Sequence, residues 1–325
     1  MLYAVNSTSL WSYKIFPGDG TLIKVASSDF THASSTDFSV LGNTDWAYVA
    51  DYTDSKIHKF RLNSRDGSLA YVNAKSISTP SQIIASPTAL QVFYVNFVST
   101  LSRTITIDTN GDKVANGAID SSGGVLGMGY FEDLERLVVS GFSANLAYIY
   151  SVDADGLHAL STSPTTHCGA CRWLMDSTRA FLVGYNVNSN AIEVFSMDYE
   201  TGVLTSLHAM PSAVGCKYGL AHPSLPVIYL QNNTEVRVYR IDTDTGALSA
   251  VQTLTLSNDA NVLNNSSMTI EPNGVFFYLP RSIQNEIQIY SIDPSTGALT
   301  YSSTQPVAGF SVIKAVRRAL PERVP

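Results

Sequence analysis

One ten-residue phrase, Tyr290-Ser291-Ile292-Asp293-Pro294-Ser295-Thr296-Gly297-Ala298-Leu299, constrains this chain more than anything else in it. It reads as the end of a strand, a tight turn and the start of a second strand. The same phrase stands at Tyr239-Arg240-Ile241-Asp242-Thr243-Asp244-Thr245-Gly246-Ala247-Leu248, and weaker copies run back to the N-terminus. The apolar residue after each turn marks the copies: Leu22, Leu69, Val114, Leu157, Leu204, Leu248 and Leu299, spaced 43 to 51 residues apart. A period of roughly 40–50 residues is that of propeller blades. Before each turn stands a pair two residues apart, from Tyr13/Ile15 to Tyr290/Ile292, so both members face one side of a strand. Glycine recurs inside the turn, at Gly20, Gly67, Gly111, Gly156, Gly202, Gly246 and Gly297, because a positive φ is cheapest there without a Cβ. Asp108, Asp153, Asp198, Asp242 and Asp293 open their turns, where a short carboxylate accepts backbone N–H groups. These aspartates read as turn chemistry rather than as catalytic acids.

Each copy carries two more strands upstream. Leu2–Val5, Ala47–Ala50, Val92–Val95, Arg136–Val139, Ala180–Val183, Val227–Leu230 and Val275–Leu279 are near-continuous apolar runs, as expected of strands buried on both faces. Ahead of them lies a strand rich in small residues: Phe38–Leu41, Gln82–Ser86, Val125–Gly129, Ala170–Leu174, Tyr218–His222, Ser267–Glu271 and, after the last turn, Phe310–Val316. Small side chains suit the crowded innermost place of a radial sheet. The chain therefore enters in the second strand of a blade and leaves after an extra first strand. Pairing Phe310–Val316 with Leu2–Val5 would build one blade from both ends of the chain and remove an open edge. The fold expected is an all-β, seven-bladed β-propeller of four-stranded antiparallel blades, closed in that way. Six blades and a stray hairpin is the alternative, because Thr104–Val114 is the weakest copy.

A length of 325 residues suggests two domains, but no linker or charge run interrupts the repeat, so residues 1–325 read as one domain. Seventeen tyrosines and few charges suit strands. The net charge of −7 argues against nucleic acid, which asks for a basic stripe. No apolar run is long enough to cross a membrane as a helix. The first residues read as a strand rather than a signal peptide, which favours the cytoplasm. A monomer is expected, since a closed propeller leaves no edge to cover.

A ligand site is expected at the end of the blades opposite the marker turns, where the loops are least regular. Arg172, Lys217 and Arg281 come from three blades and together suit a carboxylate or phosphate. His167-Cys168-Gly169-Ala170-Cys171 with Cys216 has the look of a metal site but lacks the paired spacing of one. Buried free thiols, a Cys168–Cys216 disulfide and a metal all remain open on that reading, with free thiols preferred. His222 reads as structural. No phosphate-binding glycine loop or nucleophile elbow is present. Three sequons, Asn6-Ser7-Thr8, Asn232-Asn233-Thr234 and Asn264-Asn265-Ser266, would matter only in a secreted chain.

With the phrase Tyr/Phe-x-Ile-Asp-x-x-Thr-Gly-x-Leu and the inner strand ending in His222-Pro223, the chain resembles the lactonase-type seven-bladed propellers. These include bacterial 6-phosphogluconolactonases and the fungal enzyme that lactonises carboxy-cis,cis-muconate. The resemblance implies a metal-free and cofactor-free hydrolase or isomerase, opening or closing a lactone of a small anionic sugar acid at the channel mouth. Arg281 falls where the family has an arginine after a second strand. Lys217-Tyr218 falls where Arg-His or Arg-Trp is frequent, and Asn232 where a glutamate is. The inner strand with Arg172 lacks the family's histidine at its start, and nearby His167 is the substitute. Arg172, Lys217, Tyr218, Asn232 and Arg281 are thus the expected substrate-binding residues, with His167 or Tyr185 handling the proton. Loss of the glutamate removes the obvious general acid or base, so a non-catalytic propeller binding a protein or small ligand is the competing reading.

Overall fold

A computed structural model of the chain describes residues 1–6, 8–30, 35–41, 45–63, 66–86, 90–96, 103–110, 113–120, 125–141, 145–168, 171–186, 191–211, 216–232, 234–256, 268–281, 283–307 and 310–316. The strands, in chain order, are β1 (Leu2–Asn6), β2 (Ser9–Ile15), β3 (Leu22–Asp29), β4 (Ser35–Leu41), β5 (Trp46–Asp51), β6 (Lys56–Leu62) and β7 (Leu69–Ser76). Then follow β8 (Pro80–Ser86), β9 (Gln91–Asn96), β10 (Arg103–Asp108), β11 (Lys113–Asp120), β12 (Val125–Phe131), β13 (Arg136–Gly141), β14 (Leu146–Asp153) and β15 (Gly156–Pro164). Next come β16 (Cys171–Met175), β17 (Leu182–Asn186), β18 (Ala191–Met197), β19 (Leu204–Pro211), β20 (Tyr218–Ala221), β21 (Val227–Gln231), β22 (Glu235–Ile241) and β23 (Leu248–Thr255). The last are β24 (Thr269–Ile270), β25 (Phe276–Arg281), β26 (Glu286–Ile292), β27 (Leu299–Pro306) and β28 (Phe310–Ala315). They form seven four-stranded antiparallel blades, and the fold class is an all-β seven-bladed propeller. The weakest repeat does make its blade, β8 to β11. The one helical piece among the described residues is a 3-10 turn at Glu132–Leu134.

Compactness divides the chain into two units. The first comprises residues 1–87, 261–293 and 299–325, and so holds the sheets β28-β1-β2-β3, β4-β5-β6-β7 and β24-β25-β26-β27, with β8. The second comprises residues 88–260 and 294–298, and holds β12 to β23 as three sheets, with β9 to β11. In the first unit β28 pairs antiparallel with β1, Leu2 opposite Ala315 and Val5 opposite Val312, so one blade is built from both ends of the chain as expected.

Second strands are buried along most of their length, and wholly so in β17, where Leu182, Val183, Tyr185 and Asn186 are all buried, and in β21. The expected strand at Ala180–Val183 starts two residues later, because Asp176 holds the preceding turn with its carboxylate: Phe181 N–H donates at 2.8 Å and Thr178 N–H at 2.9 Å. His222 lies just past β20. Its Nδ1 accepts N–H bonds from Ser224 (3.1 Å) and Leu225 (2.9 Å), a structural use.

The marker turns follow the sequence reading. Asp242 accepts N–H bonds from Asp244 (3.1 Å) and Thr245 (2.8 Å) and the Thr245 hydroxyl (2.8 Å), which holds its carboxyl below the usual carboxylate range. Gly246 closes the turn at φ +76°. Space is a second reason for glycine. A Cβ on Gly246 would stand 2.9 Å from the Phe181 ring, and one on Gly297 would stand 2.8 Å from Val227, each in the preceding blade. The glycine carbonyls are also used: Tyr229 Oη donates to Gly297 O (2.8 Å), Ser161 Oγ to Gly202 O (2.7 Å) and Tyr278 Oη to Gly20 O (2.9 Å). Bulges interrupt the outer strand pairs just before Tyr13, Phe60, Tyr150, Phe195, Tyr239 and Tyr290, so the aromatic of the repeat sits where the added twist begins.

Several sequence features lie outside the described residues: Gly111, Gly169 and Ala170, Ser7 and Asn233 of two sequons, and the whole sequon at residues 264–266.

Candidate functional site

In the second unit, β16 and β20 begin, and β17 and β21 end, away from the marker turns. Arg172 on β16 is opposite Tyr185 on β17 in register. Its guanidinium carbon lies 5.1 Å from the ring centre of Tyr218, which opens β20 of the next blade. That is cation–π range. Tyr185 is 3% exposed, and burial pushes its phenol up to about 12. The adjacent Arg172 charge and a hydrogen bond involving Gly219 pull the other way without prevailing. The structure therefore joins three of the residues singled out in the sequence, Arg172, Tyr185 and Tyr218, across two blades. Gly219 makes the approach possible, since a Cβ there would stand 2.7 Å from the Tyr185 ring. Lys217 is half-buried beside them, its N–H bonded to Gln231 O at 2.8 Å.

His167 is exposed, and its backbone is what the fold holds. Its N–H donates to Glu193 Oε2 at 3.0 Å, and its carbonyl accepts from Asn186 Nδ2. Glu193 is fully buried on β18 and also takes Thr166 N–H and the Ser206 hydroxyl (2.7 Å). Asn232 has its side chain committed to its own turn. Oδ1 accepts Thr234 N–H (2.8 Å) and Glu235 N–H (2.9 Å), and Nδ2 donates to Glu235 (3.2 Å). Arg281 belongs to the first unit. It is 3% exposed at the end of β25, opposite Glu286, and burial lowers its pKa against the pull of Tyr290 and Glu286.

Cys168 and Cys171 depart from the expectation of free thiols and from the Cys168–Cys216 alternative, whereas Cys216 is a buried thiol outside any disulfide, as expected. Cys168 and Cys171 form a disulfide. Both sulfurs lie over Gly184 of β17, within 2.4 Å and 3.4 Å of where its Cβ would be. Cys216 packs with Tyr185, the next residue along the strand. Successive residues of a strand face opposite sides, so β17 itself separates Cys216 from the other pair. Among the described residues no group of three or more His, Cys, Asp or Glu side chains is placed to hold a metal, and no helix is long and apolar enough to cross a membrane.

Gln231 was not legible as a site residue. It faces Tyr218 in the β20–β21 register, is 1% exposed, and neither its amide oxygen nor its nitrogen meets a hydrogen-bond partner among the described residues. The available signal was a lone amide at the end of the apolar run Val227–Leu230.

The model of the family "Lactonase, 7-bladed beta-propeller" matches residues 208–311, which run from the end of β19 to the start of β28. Over that stretch the chain is similar to the lactonase-type propellers. Beyond that stretch the likeness is one of fold, and it covers nearly the whole chain. A proposed 6-phosphogluconolactonase from Bacteroides fragilis superposes with a TM-score of 0.80 at 15% identity, covering 97% of each chain. A second, from Bacteroides uniformis, has a TM-score of 0.80 at 14% identity, covering 96% of this chain and 98% of its own. The periplasmic gluconolactonase of Pseudomonas aeruginosa has a TM-score of 0.78 at 14% identity, covering 98% and 99%. At these identities the likeness shows the fold. No curated protein matches the chain in sequence.

Proposed function

We propose that the Arg172–Tyr185–Tyr218 cluster binds a small anionic sugar acid or its lactone and that the protein is a lactonase. The observation that carries this reading is the Arg172 guanidinium, set over the Tyr218 ring beside a buried phenol. Arg172, with Lys217 flanking, supplies a paired cationic contact for a carboxylate or phosphate. Lactone hydrolysis adds water to the ring carbonyl, breaks the ring C–O bond and delivers a proton to the leaving oxygen. A phenol with a pKa of about 12 keeps its proton at neutral pH, so Tyr185 serves as donor to that oxygen and not as base. His167 is the base in this scheme and takes the proton of the attacking water. Gln231 supports the same reading: an unsatisfied buried amide costs roughly 1–3 kcal/mol, a cost that a polar ligand would remove.

A second reading, binding without turnover, draws on a specific feature. The buried carboxylate that accepts the His167 N–H, Glu193, spends its oxygens on loop N–H groups and a hydroxyl rather than on a reacting water.

The test is calorimetric titration with 6-phosphogluconate and a thermal-shift series with gluconolactone. Ligand at about 100 times its dissociation constant should add roughly 2.7 kcal/mol of stability, and Arg172→Ala should abolish the effect. Binding without hydrolysis selects the second reading. No binding of either ligand, or binding that Arg172→Ala leaves intact, overturns both.

A further inference from the structure

At the other end of the same strands lies a cavity of about 290 Å³. Its walls are the turns that follow β12, β16 and β20, three neighbouring blades of the second unit. It thus sits at the marker-turn end, whereas Arg172 and Tyr218 stand at the opposite ends of β16 and β20. Phe131, Leu134 and Met175 give it apolar walls. The Ser177 hydroxyl lines it, shielded from solvent and without a hydrogen-bond partner among the described residues.

The charges of the lining are one-sided. Glu132, Asp133 and Asp176 face one guanidinium, Arg179, and one imidazole, His222, whose Nδ1 is spent on accepting two backbone N–H groups. Arg179 is already ion-paired with Asp133 at the rim. Asp176 is 2% exposed, and among the described residues its carboxylate accepts from two backbone N–H groups and the Thr178 hydroxyl and has no cationic partner. Glu132 has no ion-pair partner among the described residues, and partial burial together with Asp133 raises its pKa. The cavity repels the anions that Arg172 would attract, and a positive charge beside Glu132 would relieve both acids.

We propose that this cavity is a second ligand site, taking a small primary amine on a short apolar chain. The ammonium group pairs with Glu132 under the field of Asp176, the methylenes lie against Phe131, Leu134 and Met175, and a second polar end reaches Ser177. The volume sits at the small end of ligand pockets, which suits a chain of a few carbons. Because no three-ligand metal cluster occurs among the described residues, an organic cation fits the lining better than a metal ion.

The test is calorimetric titration of the full chain with cadaverine, with pentanol and glutarate as controls of similar length. Saturable binding of cadaverine, at least about tenfold tighter than either control, is expected. Glu132→Gln should weaken it about three- to fivefold, as expected for the loss of one exposed ion pair. Glu132 is exposed, so the variant should keep the wild-type melting temperature. Arg172→Ala should leave cadaverine binding unchanged, which keeps this site separate from the anion site whatever becomes of that reading. No saturable binding, equal binding of glutarate, or affinity that Glu132→Gln leaves intact overturns the proposal. So does loss of binding in Arg172→Ala.

Discussion

Tyr185 shows how far one residue can be read from sequence. Counting along the repeat puts it in the loop after Ala180–Val183, at the end opposite the marker turns; the structure carries the strand on to Asn186 and sets Tyr185 opposite Arg172. Its role was not legible, because the phenol's pKa of about 12 depends on burial by the next blade, a contact no local pattern records. Asn232 shows the complementary case, a side chain whose local use is readable. An asparagine two residues before Thr234 is itself a turn signal, and the turn takes both ends of its amide. Gln231, its neighbour, is the residue with amide atoms to spare. Replacing it separates two explanations. Gln231→Leu removes an unsatisfied buried amide while keeping its volume, so the unliganded protein should gain roughly 1–2 kcal/mol in denaturant unfolding. If the amide contacts ligand, the same variant loses the stabilisation by 6-phosphogluconate. A Gln231→Leu protein that is less stable alone would show that the amide is already satisfied.

At the scale of the element, the marker turn was legible in its chemistry and half legible in its cause. Asp, Thr and Gly at fixed offsets predicted the hairpin, and positive φ explained the glycine. The packing of that glycine on the preceding blade, with its carbonyl taking a hydroxyl from there, was invisible because Val227, Tyr229 and Gly297 are about 70 residues apart. The turn is therefore also a latch. Tyr229→Phe leaves the Gly297 carbonyl without its donor and should cost about 1 kcal/mol. Gly297→Ala adds strain at φ +80° and a contact 2.8 Å from Val227, and should cost about 1–3 kcal/mol. Unfolding in urea measures both, and equal stability of Gly297→Ala and wild type would refute the latch. The disulfide teaches the same lesson about alternation. Cys168 and Cys171, three residues apart, meet over Gly184 of β17, while Cys216 packs with the next residue, Tyr185.

For the whole molecule, the seven-fold repeat carried nearly all the architecture, including the blade shared by β28 and β1, because period and register are local counts that add up along the chain. What it could not carry was which side chains of different blades converge, since that depends on the twist of each sheet and on the space left by residues such as Gly184 and Gly219. The tyrosines set a global pH response. Tyr94, Tyr150 and Tyr185 are each pushed by burial from 10.0 to about 12. A raised phenol pKa favours the folded state fully below 10.0. Above that value the unfolded chain releases protons that the folded one keeps, and the advantage is lost as pH climbs toward 12. The melting temperature should therefore hold steady from pH 7 to about 9 and fall steeply between about 10 and 12. A plateau that extends through that window would contradict the burial of these phenols.

The pairing of β1 with β28 also orders events in time. During synthesis β1, β2 and β3 leave the ribosome before β28, and the strand that completes their sheet follows some three hundred residues later. At about 5–20 residues per second, that edge waits on the order of 15–60 seconds for its partner. Until Val316 can donate its N–H to Met1 O, a nascent blade offers bare backbone to anything that will pair with it. A circular permutant opened between β3 and β4, with the original ends joined, would make β28 and β1 neighbours in translation. It should need less chaperone help to reach the same native state.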